Sequence, residues 1–184
     1  MALNYAAKYP HRVKSVISIG GFANGRAKGL DGMLQFLSKG RIFRKALFHA
    51  GWATMRLHPL LLKGAVMLYA YDWRALLQYT ALDETLALIY PDVKQHPVEA
   101  IRLLFRYLLG MNVMDEMHAI TMPVLSIVGD RDPVIPYEHQ VKYTEALPQG
   151  RLLCLSQTGH VALAERDQRV HEAMVNWLQE HETK

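Results

Sequence analysis

The amino-acid sequence predicts an α/β protein whose parallel sheet is interrupted by a long helical insertion. Two apolar runs rich in β-branched residues, 13–19 and 123–128, are typical of strands buried on both faces of a parallel sheet. Helical periodicity punctuated by glycine and proline fills the residues between them, 24–120. Because strands alternate with helices at both ends of the chain, we expect right-handed parallel crossovers.

The first and last parts of the chain supply the predicted sheet and its covering helices. Residues 2–9 are good helix formers that stop at Pro10, just before the first strand. After the second strand, residues 137–147 predict a helix and 151–155 a third strand, in which Cys154 is expected to be a buried thiol. A closing helix carries apolar residues at core-facing spacing: Val170, Ala173, Met174, Trp177 and Leu178.

Residues 24–120, called the helical segment from here on, separate the two parts of the predicted sheet, 1–23 and 121–184. One predicted helix has an apolar stripe: Ile101, Leu104, Phe105, Leu108 and Leu109. Arg102 and Arg106 fall opposite this stripe, so we expect them to face solvent. Other helices of the segment are apolar around most of their circumference, which predicts either ordinary core or a pocket for an apolar substrate.

Composition favours a globular protein of one domain. The 184 residues are 51% hydrophobic and 21% charged, and the single cysteine cannot form an intramolecular disulfide. The first residues lack the basic start and apolar run of a signal peptide, and charged residues interrupt every candidate membrane span. We therefore expect a cytoplasmic protein without a membrane-spanning helix.

Positive charge is concentrated in the helical segment. Between residues 24 and 74, nine Lys and Arg residues are accompanied by only two acids, Asp31 and Asp72. Such a region can attract phosphates, anionic lipid head groups or an acidic partner. The cations are spread out and lack the interleaved aromatic residues of a nucleic-acid-binding surface. The pattern therefore favours a solvated helix face and predicts no nucleic-acid partner.

Two residues suited to proton transfer follow neighbouring predicted strands. Asp132 lies in the loop after the second strand, and His160 follows the third strand. Catalytic groups gather at the carboxyl ends of parallel strands, where a carboxylate can hold an imidazole while its other nitrogen takes a proton. Asp130 is the alternative acid. The other histidines show no metal-ligand spacing and the glycines of 20–32 match no nucleotide-binding loop, so we predict no metal and no cofactor.

These loops resemble those of the α/β-hydrolase family. The residues similar to the family's acid-bearing loop are Gly129, Asp132, Val134 and Pro136, and those similar to its histidine loop are Thr158, Gly159, His160 and Glu165. Residues 2–19 resemble the helix that follows the family's nucleophile and the next strand. The resemblance covers the whole chain. It implies the last three strands of an α/β-hydrolase parallel sheet, with residues 24–120 inserted as the family's helical cap.

The chain has no match for the family's nucleophile. In the family this residue sits in Gly-x-Ser-x-Gly, before the helix that residues 2–9 resemble, and an oxyanion-hole amide comes from an earlier loop. None of the serines, at positions 15, 18, 38, 126 and 156, stands between paired glycines. The resemblance therefore implies that the nucleophile precedes Met1, and that Met1 is an internal methionine of a longer chain.

The hypothesis is that the chain is the C-terminal part of a serine-type hydrolase that cleaves an ester or related acyl bond of an apolar small molecule or lipid. Asp132 would orient His160, which acts as base and then as acid. The alternatives are other chemistries of the family, such as dehalogenation, epoxide opening, peptide cleavage or acyl transfer, and a non-catalytic module that binds an apolar ligand or a partner chain. An unpaired edge of the first strand also predicts self-association.

Overall fold

A parallel sheet of three strands joins the two ends of the chain. The computed structural model describes residues 2–182, and its strands are β1 (Val16–Ile19), β2 (Val124–Gly129) and β3 (Gly150–Leu155), in the order β1-β2-β3. Both pairs of neighbours are parallel, which confirms the predicted sheet. β1 begins three residues later than its apolar run because pairing with β2 begins only at Val16, opposite Val124.

Ten α-helices surround this sheet in the described part of the chain. In chain order they are α1 (Ala2–Lys8), α2 (Gly29–Ser38), α3 (Ile42–Leu57), α4 (Pro59–Met67), α5 (Trp73–Gln78), α6 (Leu82–Gln95), α7 (Val98–Gly110), α8 (Tyr137–Glu145), α9 (Ala162–Glu165) and α10 (Asp167–Glu182). Short 3₁₀ helices span Pro10–Arg12 and Met114–Ala119. None of the helices within residues 2–182 has the length and apolarity that crossing a membrane requires.

Alternate residues of the strands build two cores, one on each face of the sheet. On one face, Val16 and Val124 pack with Leu3 of α1 and with Tyr143 of α8. The core on the other face contains Leu125, Ile127 and Leu155 from the strands and Val170 and Trp177 from α10. Every residue of β2 is buried, as expected for the central strand of a parallel sheet.

Cys154 is exposed, so the expected buried thiol is wrong. β3 pairs only with β2 in the described residues and is therefore an edge strand. Leu153 and Leu155 point towards the core beside α10, and Cys154 points to the opposite face, as alternation along a strand requires. Tyr137 of α8 contacts Cys154 on that face but leaves the thiol exposed. An apolar strand sequence does not distinguish a covered face from an open one.

The helical segment leaves and rejoins the sheet at adjoining points. Asn24 and Asn112 form an isolated antiparallel bridge, and the N–H of Gly25 donates to the carbonyl oxygen of Met111 at 2.9 Å. A Cβ on Gly25 would lie 1.7 Å from the carbonyl oxygen of Leu108, so this close approach requires glycine. The two ends of the segment are thus fastened to each other.

Arg102 is buried instead of facing solvent, and this corrects the predicted orientation of α7. Its Nε and Nη2 donate to the carboxylate of Glu99 at 3.0 and 2.6 Å, and Nη1 donates to the carbonyl oxygen of Ser38 at the end of α2. These bonds satisfy the guanidinium and make its burial tolerable. Leu103 and Leu104 are instead 49% and 40% exposed. The face of α7 that carries Arg102 is therefore packed as well, and part of its apolar stripe is exposed.

We predict that Glu99→Gln lowers the melting temperature more at neutral pH than in acid. Hydrogen bonds from Arg102, and further from Lys45 and His49, lower the pKa of Glu99 from 4.5 to about 2. Because this pKa lies below that of the unfolded chain, the unfolded chain binds more protons between these two values. The contribution of Glu99 to stability is therefore present above pH 4.5 and is lost as the pH falls to about 2.

Thermal unfolding of the wild type and of Glu99→Gln between pH 7 and pH 2 measures this effect. Glu84→Gln, at an exposed position of α6, is the matched control and should follow the wild type. A difference between Glu99→Gln and the wild type that stays constant with pH would contradict the account.

Candidate active site

The register of β2 and β3 brings their carboxyl-terminal loops together. Gly129, the last residue of β2, lies opposite Leu155, the last residue of β3, so both strands end at the same level. A Cβ on Gly129 would lie 2.2 Å from the carbonyl oxygen of Thr158 in the second loop. The same oxygen accepts the N–H of Arg131 at 3.0 Å. Backbone contacts between the loops thus require glycine at the end of β2.

Asp132 provides a carboxylate with no exposed surface. Its Oδ1 accepts the backbone N–H groups of Val134 and Ile135 at 2.7 and 2.9 Å, and Oδ2 accepts Nε2 of Gln140 at 3.0 Å. These donors replace the water that burial removes, and they fix the orientation of the carboxylate. Gln140 lies on α8 and is itself fully buried. No sequence motif indicated its contact with Asp132.

The fourth donor to Asp132 is His160, whose Nδ1 lies 2.9 Å from Oδ2. A carboxylate oxygen accepts hydrogen bonds, so Nδ1 carries the proton and Nε2 is left as an acceptor. Nε2 makes no hydrogen bond within residues 2–182, and the side chain of His160 is 25% exposed. The structure thus brings the two predicted site residues together. In this arrangement Nε2 can take a proton while Asp132 stabilises the resulting imidazolium.

Asp130, the alternative acid, does not contact His160 as Asp132 does. Its N–H donates to the carbonyl oxygen of Leu155 at 3.1 Å, and its Oδ1 lies 3.4 Å from the N–H of Thr158. No hydrogen bond joins Asp130 to His160 in the described residues. Asp130 therefore closes the loop after β2, and Asp132 is the carboxylate that His160 contacts.

Gly20 and Tyr69, from other elements of the chain, lie close to His160. A Cβ on Gly20, which has a φ of +57°, would lie 3.1 Å from Nδ1 of His160. The N–H of His160 donates to the carbonyl oxygen of Tyr69 at 2.8 Å. Burial, assisted by a hydrogen bond to Asp31, raises the pKa of Tyr69, so its hydroxyl stays a donor. The glycine pattern predicted no contact between Gly20 and His160, and Tyr69 is distant in sequence.

Glu165 joins the helical segment to the histidine loop. Its buried carboxylate accepts the N–H of Gly159 at 2.9 Å, and also those of Tyr71 and Asp72 at 3.1 and 2.7 Å. Nη1 of Arg166 adds an ion pair to Asp72 at 3.0 Å. A Cβ on Gly159 would lie 2.4 Å from the nitrogen of Tyr71, so loop and segment pack backbone against backbone. The carboxylate of Glu165 thus sets the distance between the histidine loop and the helical segment.

An apolar cavity of about 300 Å³ lies between the histidine loop and the helical segment. His160 lines it together with Ile19 at the end of β1 and with apolar side chains from α4, α5, α6 and α9. Of the described residues in its wall, only Tyr79 and Thr85 carry further side-chain polar groups. The volume falls at the lower end of the range for small-molecule sites. The cavity therefore suits an apolar group placed next to the imidazole.

His139 does not join the site, although it follows Asp132 closely in sequence. Its Nε2 accepts the N–H of Asn24 at 3.2 Å, and burial, with Lys142 nearby, lowers the pKa of His139. Among residues 2–182, no group of three or more His, Cys, Asp or Glu side chains is arranged to hold a metal ion.

We predict that Glu165→Gln destabilises the protein by about 2 kcal/mol, because an amide nitrogen replaces one oxygen that accepts buried N–H groups. For a domain of this size, such a loss lowers the melting temperature by about 4–8 °C. Thermal unfolding monitored by circular dichroism measures the change. Glu172→Gln, at an exposed position of α10, is the matched control. An unchanged melting temperature in Glu165→Gln would contradict the account of this carboxylate.

The fold of the chain is similar to those of several known structures. It is similar to MGS-M2, an α/β hydrolase enzyme from a Medee basin deep-sea metagenome library, at 17% identity and a TM-score of 0.69 over 97% of this chain and 60% of that one. It is also similar to Rv0554 of Mycobacterium tuberculosis (22% identity, TM-score 0.67, 98% and 61% covered). A third similar structure is a thermophilic esterase of Thermogutta terrifontis (18%, TM-score 0.65, 98% and 61% covered).

The chain thus spans about three fifths of the length of these proteins. A comparison with curated protein sequences finds no match. Residues 1–167 match the family described as alpha/beta hydrolase fold, and this match covers most of the 184 residues. Together with the parallel sheet and the similar structures, it confirms the resemblance seen in the sequence: this chain belongs to the α/β-hydrolase fold family.

Proposed function

We propose that this protein is a serine-type hydrolase that cleaves an ester or related acyl bond of an apolar small molecule or lipid. The observation that carries the proposal is the 2.9 Å hydrogen bond from Nδ1 of His160 to the buried carboxylate of Asp132, beside an apolar cavity. Asp132 and His160 are the acid and the base of the triad. The serine of this triad is proposed to lie outside residues 1–184. Among the described residues, no hydroxyl group contacts Nε2 of His160.

In the proposed reaction His160 moves one proton in each half of the cycle. Nε2 takes the proton of the serine hydroxyl as its oxygen attacks the acyl carbon, and the imidazolium then gives that proton to the leaving alcohol. A water molecule then attacks the acyl-enzyme and gives a proton to Nε2, and the imidazolium passes that proton to the serine oxygen as the carboxylic acid is released. Asp132 accepts the hydrogen bond from Nδ1–H throughout and stabilises the positive charge of the imidazolium while it exists. Four hydrogen bonds keep that carboxylate fixed, so little reorganisation is needed at each step.

The substrate class follows from the cavity wall. Apart from His160, Tyr79 and Thr85, the wall consists of apolar residues, so it favours a hydrocarbon group over a polar one. The similar structure from Thermogutta terrifontis is that of an esterase, which agrees with acyl chemistry. We assign the cavity to the acyl chain or to an equally apolar part of the substrate.

We further propose that residues 24–120 act as the cap that shapes this cavity. The antiparallel bridge between Asn24 and Asn112 supports an insertion with adjoining ends. The bonds of Glu165 to Tyr71 and Asp72 support a fixed position of the cap above His160. Substrate choice would then depend on the side chains of α4, α5 and α6.

We predict that His160→Ala and Asp132→Asn each lower kcat/KM for a nitrophenyl ester by at least about 10³-fold, because proton transfer loses its base or its orienting carboxylate. The assay uses the protein at its full natural length. His171→Ala, on the exposed side of α10, and Asp130→Asn are the matched controls and should retain most of the activity. Turnover retained in His160→Ala would refute the assignment.

A fluorophosphonate probe separates the hydrolase from a non-catalytic binding module. The full-length protein should be labelled on a serine, and His160→Ala should be labelled much more slowly because the hydroxyl is no longer activated. A protein that stays unlabelled while it binds apolar esters would favour the binding module.

We predict that Ile89→Trp restricts the acyl chains that the enzyme accepts. Ile89 lines the cavity and is 41% exposed, so an indole fits there while it fills part of the volume. Each methylene excluded should cost roughly fourfold in kcat/KM. Octanoate esters should therefore lose activity while acetate esters do not. Leu88→Trp, the exposed neighbour outside the cavity wall, is the matched control, and equal losses for both ester lengths would contradict the assignment.

A further inference from the structure

Four large apolar side chains are exposed at the corner between α2 and α3. Phe36 is 61% exposed, Ile42 is 89%, Phe43 is 75% and Leu47 is 44%. The guanidinium of Arg44 lies over the ring of Phe36, 4.8 Å from its centroid, so cationic and apolar groups are mixed on this surface. Exposed apolar clusters of this kind mark interaction sites. We call residues 36–47 the α2–α3 corner.

All the charged residues of this corner are cationic. The sequence contains no Asp or Glu between Asp31 and Asp72. Lys39 and Arg41 are exposed, and neither forms an ion pair within residues 2–182. Lys45 pairs with Glu99 of α7. The surface therefore offers free cations between exposed apolar side chains.

The combination of exposed apolar side chains and unpaired cations indicates which kind of partner can bind the α2–α3 corner. A second copy docked through the same corner would bring its cations against these, and like charges across an interface oppose binding. A purely apolar partner would leave Lys39 and Arg41 unpaired. A helix with exposed apolar side chains, several cations and no acid is instead the pattern of an element that lies in a membrane interface. α3 has this composition over its 16 residues.

We propose that the α2–α3 corner docks the protein on an anionic phospholipid bilayer. Ile42 and Phe43 enter the head-group region, and Lys39 and Arg41 pair with lipid phosphates. Docking uses neither Asp132 nor His160, so it is independent of the proposed hydrolase activity. It would place the helical segment, which forms most of the wall of the apolar cavity, next to a phase in which apolar esters concentrate.

Sedimentation with vesicles tests the proposal on the full-length protein. Vesicles of phosphatidylcholine with 30% phosphatidylglycerol should bind at least about tenfold more strongly than vesicles of phosphatidylcholine alone, and added salt should weaken the binding. The double variant Lys39→Gln/Arg41→Gln should lose about fivefold in affinity for each cation removed. Ile42→Ser/Phe43→Ser should lose at least about tenfold.

The control is Arg169→Gln/Leu178→Ser, which removes one exposed cation and one exposed apolar side chain from α10 and should bind like the wild type. His160→Ala should also bind like the wild type, whatever its activity. Circular dichroism confirms that each variant is folded. Equal binding to both kinds of vesicle, no binding to either, or an equal loss in the control would overturn the proposal. So would a dimer that Ile42→Ser/Phe43→Ser dissociates without any vesicle binding by the wild type.

Discussion

The buried carboxylate of Asp132 imposes the constraint that the rest of the site meets. A carboxylate without exposed surface is stable only where donors replace its lost water. Its own loop supplies two backbone N–H groups, α8 supplies Gln140, and the next loop supplies His160. The bonds that make burial tolerable therefore also fix the tautomer and the orientation of the imidazole. This arrangement requires that β2 and β3 end at the same level of the sheet and that residue 129 is glycine.

The helical segment depends on the same loops. Glu165 binds backbone N–H groups on both sides of the junction, and the carbonyl oxygen of Tyr69 accepts the N–H of His160. The cavity wall and His160 are thus joined by hydrogen bonds that backbone N–H groups donate, to the Glu165 carboxylate and to the carbonyl oxygen of Tyr69. A substrate held by the apolar wall would meet Nε2 of His160 at a defined distance.

Local patterns predicted most of the fold and the positions of Asp132 and His160 at neighbouring strand ends. The apolar run of β2 and the alternation of strands and helices gave a parallel sheet, and positions at strand ends pointed to Asp132 and His160, because these features depend on nearby residues. Cys154 and Arg102 were misjudged because their burial depends on which neighbour covers each face. The contacts of Gln140, Gly20 and Tyr69 join distant parts of the chain, and no periodicity or motif reports such contacts.

The central claim is that Asp132 and His160 act as one unit in proton transfer. A double-mutant cycle on kcat/KM tests it most directly, with Asp132→Asn, His160→Ala and the double variant of the full-length protein assayed on the same ester. Because the carboxylate acts only through the imidazole, the account predicts that the double variant is no slower than His160→Ala, within about threefold. A double variant whose loss equals the product of the two single losses would contradict it.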